Sequence, residues 1–327
     1  MKNDPNSIET IAAKSAIARN RIGKDIFKTP LIPSMQHGSK LLFKAENFQD
    51  TGSFKIRGAL SKLTALAESE NLSELKFITA SSGNHGIASS KAASILGASL
   101  TVVLPETVAK IKLERIKSFG VTVLIKGAES GQAELYAQKL SKDEGYYYIS
   151  PYNDPDVIAG QGTIGLEILE QMDNKPIDNL FISIGGGGLI SGISAVIKNH
   201  SPGTKVWGIS AKNSCTLADS IKAGEMIETE HFDTLADGCA GGVDRDSMTL
   251  PITQKTVDEL IWCEEEEIED CFRSMAFEEH QIVEGSAALA LAGFQQVQKR
   301  IWNQNSIVLL CGANIDVELA KKLLVKS

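Results

Sequence analysis

The sequence predicts an α/β protein with parallel sheets, and three observations lead there. Short apolar runs recur along the chain, stretches of helical length separate most of them, and glycines stand where those helices should end. Repetition of strand, helix and strand implies a parallel sheet, because parallel neighbours need a long crossover and a helix supplies it.

In chain order the apolar runs are LLFKA, KFITA, LTVVL, VTVLI, YYYIS, LFISI, KVWGIS and SIVLLCG, which read as buried strands. NHGIASSKAASILG follows KFITA, ETVAKIKLERIKSFG follows LTVVL, and GQAELYAQKLSKDEG follows VTVLI. Each of these helix patterns closes on a glycine suited to a C-terminal cap. GYYYISPYNDPDVIAGQG gathers proline, asparagine and aspartate before a new helix and a second series of strands, so a boundary is expected there. CEEEEIEDCF is the strongest charge run, and it reads as glutamates in the first turn of a helix, favoured by the dipole and facing water.

Composition narrows the function. A chain of 327 residues is long enough for two domains or one large α/β unit. Its net charge of -8, with no long basic stretch, speaks against general nucleic-acid binding. The N-terminal MKNDPNSIETIAAKSAIARN lacks the apolar core of a signal peptide, and no apolar run reaches the roughly 18 residues of a spanning helix. A cytoplasmic protein without a membrane partner is therefore expected. Cysteines at 215, 239, 263, 271 and 311 are odd in number and form no CxxC, which indicates neither a disulfide framework nor a zinc site. The histidines are scattered without HExxH spacing, so no catalytic transition metal is indicated.

Four places can carry chemistry. In NLFISIGGGGLISGISAVIKNH, Gly185, Gly186, Gly187 and Gly188 follow a strand and open a helix. Backbone N–H groups there can approach a phosphate without obstruction, although a tight turn alone would use the same residues. It is neither a P-loop nor a GxGxxG with a well-placed acid. In ITASSGNHGIASS, Ser81, Ser82, Gly83, Asn84 and His85 also sit between strand and helix, where they can bind a small carboxylate or cap the helix. Cys311 ends the last core strand, at the edge where α/β sheets meet ligands, yet a free cysteine also packs as a small hydrophobe. Lys55 lies between an aromatic and an isoleucine, just after Thr-Gly-Ser. A reactive lysine, a phosphate cradle, a carboxylate loop and a small polar group at a strand end are what an enzyme needs to hold pyridoxal phosphate as a Schiff base.

With these motifs in order, namely KAENFQDTGSFKIRGA, SSGNHG, PYNDPDVIAGQGTIGLEI, GGGGLISG, EGSAALAL and CGAN, the chain resembles the fold type II (β-family) pyridoxal-phosphate enzymes, in particular their serine/threonine dehydratase and serine racemase branch. The resemblance covers nearly the whole chain. It implies two domains of the tryptophan synthase β-like kind, each with a mostly parallel twisted sheet flanked by helices: a large one of residues 1–59 and 148–327 and a small one of 60–147. It implies that Lys55 is the Schiff-base lysine, that Phe54 lies against the cofactor ring, and that Asn84 contacts the ring hydroxyl. Gly185 to Gly188, with Leu189, match the phosphate loop, Ser81 to His85 the substrate-carboxylate loop, and Gly238 a backbone position beside the cofactor. Glu284, opening EGSAALALAGF, either lies near the ring or caps a helix.

Cys311 corresponds to the residue facing the pyridine nitrogen. A free thiol with a pKa of about 8.5 is neutral at physiological pH and does not keep that nitrogen protonated. A weaker electron sink shortens the carbanion's life and favours prompt loss of a β-leaving group. The resemblance thus implies a lyase in which Lys55 removes the α-proton of L-threonine or L-serine and the β-hydroxyl leaves, giving a 2-oxo acid and ammonia. Ser82 stands where racemases keep a base on the opposite face, so racemisation by Lys55 and Ser82 is the alternative. DGCAGGVDRDSMTLPI departs from the common threonine dehydratase pattern, and hydroxyaspartate stays open as a substrate. Racemase-like relatives hold a divalent cation with acidic side chains; here Ser210 stands where a glutamate is expected, and the nearest acid, Asp219, is expected on a solvated helix. No metal site is expected. The chain ends soon after CGANIDVELAKKLLVKS, which leaves no room for a regulatory domain, and family habit suggests a homodimer.

Overall fold

The computed structural model describes residues 4–325; residues 1–3 and 326–327, the outer ends of the larger expected domain, lie outside the described residues. The strands are β1 (Leu31–Ser34), β2 (Gly38–Ala45), β3 (Lys76–Ala80), β4 (Ser99–Leu104), β5 (Thr122–Ile125), β6 (Tyr147–Tyr148), β7 (Asn179–Ser183), β8 (Lys205–Ala211), β9 (Glu259–Cys263) and β10 (Ser306–Leu310). They form a six-stranded sheet in the order β1-β2-β10-β7-β8-β9 and a four-stranded sheet in the order β5-β4-β3-β6. Every pairing is parallel except β1 with β2. The α/β class and its parallel sheets are as the sequence predicts.

The central strands β7 and β10 are buried along their whole length, which is why they read as unbroken apolar runs. Two strands escape that reading because they lie at sheet edges. β1 contains Pro33, which cannot donate to a ladder, and β9 pairs with β8 alone. YYYIS contributes only Tyr147 and Tyr148 to a strand, since the Ser150 hydroxyl accepts from Asn153 N (2.9 Å) and turns the chain.

Local chemistry sets the helix ends. Asn84–Leu96 and Ser130–Glu144 stop at Gly97 (φ 67°) and Gly145 (φ 71°) in the left-handed conformation. The pattern ETVAKIKLERIKSFG yields a shorter helix, Lys110–Lys117, because its first residues turn on Pro105, whose carbonyl accepts from Val108 N. Asp154 caps Pro155–Met172 by accepting from Asp156 N and Val157 N at 2.8 and 3.0 Å. Glu265, Glu266 and Glu267 open Glu265–Phe277, and Glu264 with Glu267 forms a capping box. Among the described residues, no helix is long and apolar enough to cross a membrane.

The carboxyl ends of β3, β7 and β10 run directly into the loops around Ser81, Gly185 and Cys311. That edge is where open parallel sheets place ligands. The three loops line one cavity of about 900 Å³.

Candidate active site

The Thr-Gly-Ser turn sets the position of Lys55. Ser53 bridges to Gly312, Phe54 N donates to the Cys311 carbonyl at 3.0 Å, and Ala313 N donates to the Gly52 carbonyl at 2.8 Å. The turn is thereby stitched to the segment leaving β10, and the helix Lys55–Leu66 starts at the cavity. Gly52 has φ +75°, and a Cβ there would lie 2.7 Å from Asn314 Oδ1, so both conformation and space demand glycine.

Lys55 Nζ donates to the Pro151 carbonyl at 2.9 Å and lies 5.2 Å from the centre of the Phe54 ring. Withdrawal from water lowers its pKa to about 8, although Cys239, Cys311 and Glu284 pull the other way. Such an amine is neutral in useful amount near physiological pH, as a nucleophile or proton acceptor requires.

Opposite it, the strand-to-helix loop after β7 is packed so tightly that only glycine fits. A Cβ on Gly185 would lie 2.8 Å from Cys239 Cα, one on Gly186 2.4 Å from the Tyr152 ring, and one on Gly188 2.8 Å from Tyr152 Cα. Gly187 has φ +87° and precedes the helix Gly188–His200, whose first turn carries Leu189. The loop therefore presents bare main chain and a helix N-terminus to the cavity.

Ser81, Ser82, Gly83, Asn84 and His85 line the cavity at the N-terminus of Asn84–Leu96, where the first N–H groups have no partner within the helix. Ser81 Oγ accepts from Gly83 N at 3.2 Å. His85 is buried with Nε2 2.9 Å from the Ile149 carbonyl, and burial drives its pKa down to about 3. Its imidazole is thus a neutral donor to main chain, which leaves the helix N-terminus as the anion-binding element.

Glu284 resolves an alternative left open by the sequence. It stands at the N-cap of Gly285–Val297 but makes no side-chain cap. Instead, its buried carboxylate accepts from Asn84 Nδ2 at 2.8 and 2.9 Å and from Asn314 N at 3.1 Å. Burial raises its pKa to about 7. The buried Cys311 thiol lies 3.8 Å from Glu284 Oε1 and is held protonated by burial, well above its ordinary pKa. Gly238 faces the same group, since a Cβ there would lie 2.9 Å from Ser286 Oγ and 3.4 Å from Glu284 Oε1.

A family model described as pyridoxal-phosphate dependent enzyme matches residues 22–312. The catabolic L-threonine dehydratase of Staphylococcus aureus is 35% identical over 308 residues, covering 92% of this chain and 88% of the relative. Among solved structures, the threonine deaminase of T.th. aligns with TM-score 0.84 at 35% identity over 93% of this chain and 98% of its own. Maize serine racemase aligns with TM-score 0.85 at 29% identity over 95% of both chains. The chain belongs to the pyridoxal-phosphate dependent enzymes.

The residues present fit that cofactor. A loop with every Cβ position filled by neighbours offers its amides to a phosphate, and Lys55 offers a low-pKa amine that no carboxylate hydrogen-bonds. Around the cavity the structure also brings together residues the sequence reading does not single out. Tyr152 packs on the glycine loop and accepts from Asp244 N at 2.9 Å through its hydroxyl. Asn314 donates to Asn84 Oδ1 at 2.6 Å, and Thr249 donates to the Gly186 carbonyl at 2.8 Å. Both Tyr152 and Asn314 lie within quoted motifs, PYNDP and CGAN, but their partners are far away in sequence. Ser210 is buried within β8. Asp219 is half-buried on Thr216–Ala223 and accepts from Trp262 Nε1 at 2.9 Å, so it is not on the solvated face expected of it.

Proposed function

We propose that this enzyme deaminates a β-hydroxy amino acid, L-threonine or L-serine, to the corresponding 2-oxo acid and ammonia. The observation that carries the reading is the low-pKa amine of Lys55 in a cavity between a phosphate cradle and a helix N-terminus. The dehydratase and deaminase names of relatives at 35% identity support the reaction class.

Pyridoxal phosphate, when bound, supplies the electron sink that makes an amino acid's α-proton removable. Lys55 would hold it covalently, and its amine, whose pKa of about 8 suits transfer near neutral pH, would accept the substrate's α-proton. Gly185 to Gly188 and Leu189 would hold its phosphate, and Phe54, Asn84, Gly238 and Glu284 would hold its ring. The N-terminus of Asn84–Leu96, from Ser81 to His85, orients the substrate carboxylate. Cys311, kept as a neutral thiol by burial, leaves the ring nitrogen without a carboxylate partner, which favours loss of the β-hydroxyl over transamination.

Ser82 lines the same cavity as Lys55, and that favours racemisation as a second activity. Incubation with L-threonine, L-serine and L-threo-3-hydroxyaspartate, assayed in parallel for 2-oxo acid and D-amino acid, tests the reading. Elimination predicts 2-oxo acid as the main product from threonine or serine; D-amino acid without 2-oxo acid would contradict it. Ser82→Ala should abolish any D-product while sparing elimination.

The reading extends to organisation. Residues 60–147 form the small domain and 1–59 with 148–327 the large one; two separate sheets support the division into two domains, while the pairing of Tyr148 with Ile78 moves the second boundary to just after β6. The enzyme is a cytoplasmic homodimer. Its five thiols are unpaired, as a reducing compartment requires. Exposed Phe27, Met35, Phe48, Phe277 and Ile282 lie on segments tied by hydrogen bonds, Gln49 to Phe27, Asn47 to Ile282 and Met35 to Glu279, which gives a second copy an apolar face to cover. Met35→Asp with Phe277→Asp should shift the sedimentation of the protein toward the monomer.

A further inference from the structure

A chain of hydrogen bonds joins the molecular surface to the cofactor site. Exposed Arg115, on Lys110–Lys117, donates to Asn314 Oδ1 at 2.8 Å and to the Thr51 carbonyl at 3.2 Å. Asn314 Nδ2 donates to Asn84 Oδ1 at 2.6 Å and to the same Thr51 carbonyl at 2.9 Å. Asn84 Nδ2 then donates to both oxygens of Glu284 at 2.8 and 2.9 Å. The path alternates between the elements of the two sheets: Arg115 follows β4, Asn314 follows β10, Asn84 follows β3, and Glu284 lies in the segment leading to β10.

An amide side chain is symmetric in shape, and only its partners decide which end is oxygen. Here both ends of the chain are one-sided. A guanidinium can only donate and an ionised carboxylate can only accept. Arg115 therefore requires the oxygen of Asn314 to face it, which turns the Asn314 NH₂ toward Asn84. Glu284 requires the NH₂ of Asn84, which turns the Asn84 oxygen back toward Asn314. The two requirements agree.

We infer that Arg115 is a positioning residue: as the donor-only end of this relay it acts with the Thr51 carbonyl to hold Asn314, and through it Asn84, in place at the cofactor ring, and it ties the two sheets' loops together over the site. The inference rests on the proposed place of Asn84 beside the cofactor. It does not need Arg115 to touch cofactor or substrate, and it explains why a solvent-exposed arginine spends two N–H groups on acceptors across the cleft.

The relay also feeds the titration of Glu284, which is faced by Asn84, Asn314, Asp237, Lys55, Cys239 and Cys311. Its bonds from Asn84 and Asn314 favour the ionised form, against the burial that raises its pKa to about 7. Without Arg115 the Thr51 carbonyl alone holds the Asn314 amide from outside, so the relay loosens, its donation to Glu284 weakens, and the proton affinity of Glu284 rises.

The test compares Arg115→Lys, Arg115→Gln and Arg115→Ala with the unaltered holoenzyme. Two quantities are measured, the dissociation constant for pyridoxal phosphate and the pH midpoint of the visible absorbance band. Lysine remains donor-only and should keep both near the unaltered values. Glutamine, two bonds shorter than arginine and able to accept as well as donate, should behave like alanine: cofactor binding about three- to tenfold weaker and a midpoint shifted to higher pH. Arg115 is exposed, so thermal melting of the apoproteins should be unchanged. Glutamine and alanine variants indistinguishable from the unaltered protein would overturn the inference, as would a lysine variant as impaired as alanine. If the unaltered protein binds no pyridoxal phosphate at all, the reading of the site fails first and the inference with it.

Discussion

Lys55 and Arg57 stand two residues apart on one helix, both withdrawn from water, and they titrate in opposite directions. Arg57 is fully buried. Its guanidinium donates to Glu46 at 2.7 and 2.8 Å and to Glu167 at 2.7 and 3.0 Å, with Thr163 at 3.1 Å. Glu167 also accepts from buried Lys44 at 2.6 Å. Burial alone would lower the pKa of Arg57 and raise that of Glu167, yet the partners outweigh burial for both, and each is held in its charged form. Lys55 has a carbonyl for a partner and no hydrogen-bonded carboxylate, so burial wins and its pKa falls to about 8. Where partners outweigh burial, as at Arg57 and Glu167, charge is fixed; where burial wins, as at Lys55 and at Lys44 despite its bond to Glu167, the pKa of the cation falls. One helix thereby anchors its rear face with a paired network and presents a reactive amine at its front.

The comparison can be broken most severely at Lys55. Lys55→Ala should lower the production of 2-oxo acid at least about a thousandfold while leaving the fold intact by circular dichroism; full activity would refute its role. Arg57→Met should do the reverse in kind. It strands two buried carboxylates and should cost about 3–5 kcal/mol of stability in denaturant unfolding of the apoprotein. A change below about 1 kcal/mol would show that the network contributes little.

The pH dependence sharpens the contrast. Capture of pyridoxal phosphate by the apoprotein needs the neutral amine, so its rate should rise with pH through about 8, the value to which Lys55 is lowered. An unshifted lysine at 10.5 would be neutral about 300-fold less often at pH 7, and its rate would still be climbing at pH 10. Stopped-flow absorbance between pH 6 and 10 separates the two. The smallest effect should come from Cys311→Ser, because a hydroxyl and a protonated thiol are both neutral; turnover should stay within about threefold.

The sequence was most legible where local chemistry decides structure. Apolar runs marked the central strands because both faces of β7 and β10 are buried, and glycine marked helix ends because Gly97 and Gly145 adopt positive φ. Edge strands β1 and β9 were not legible, since partial exposure breaks their apolar runs. The cavity gathers Lys55, Asn84, the glycine loop, Glu284 and Cys311, all marked in the sequence by motif. Motif could not say what Glu284 does, because its role depends on Asn84 and Asn314 reaching it from other loops. Motif marked Lys55 but said nothing of Arg57, whose charge is fixed by Glu46 and Glu167 reaching it from other segments.

The most direct measurement is to load the protein with pyridoxal phosphate, reduce it with borohydride, digest it, and locate the cofactor by mass spectrometry. The account predicts a single stoichiometric pyridoxyl adduct on Lys55. An adduct on another lysine, or none in protein that binds the cofactor, would contradict it.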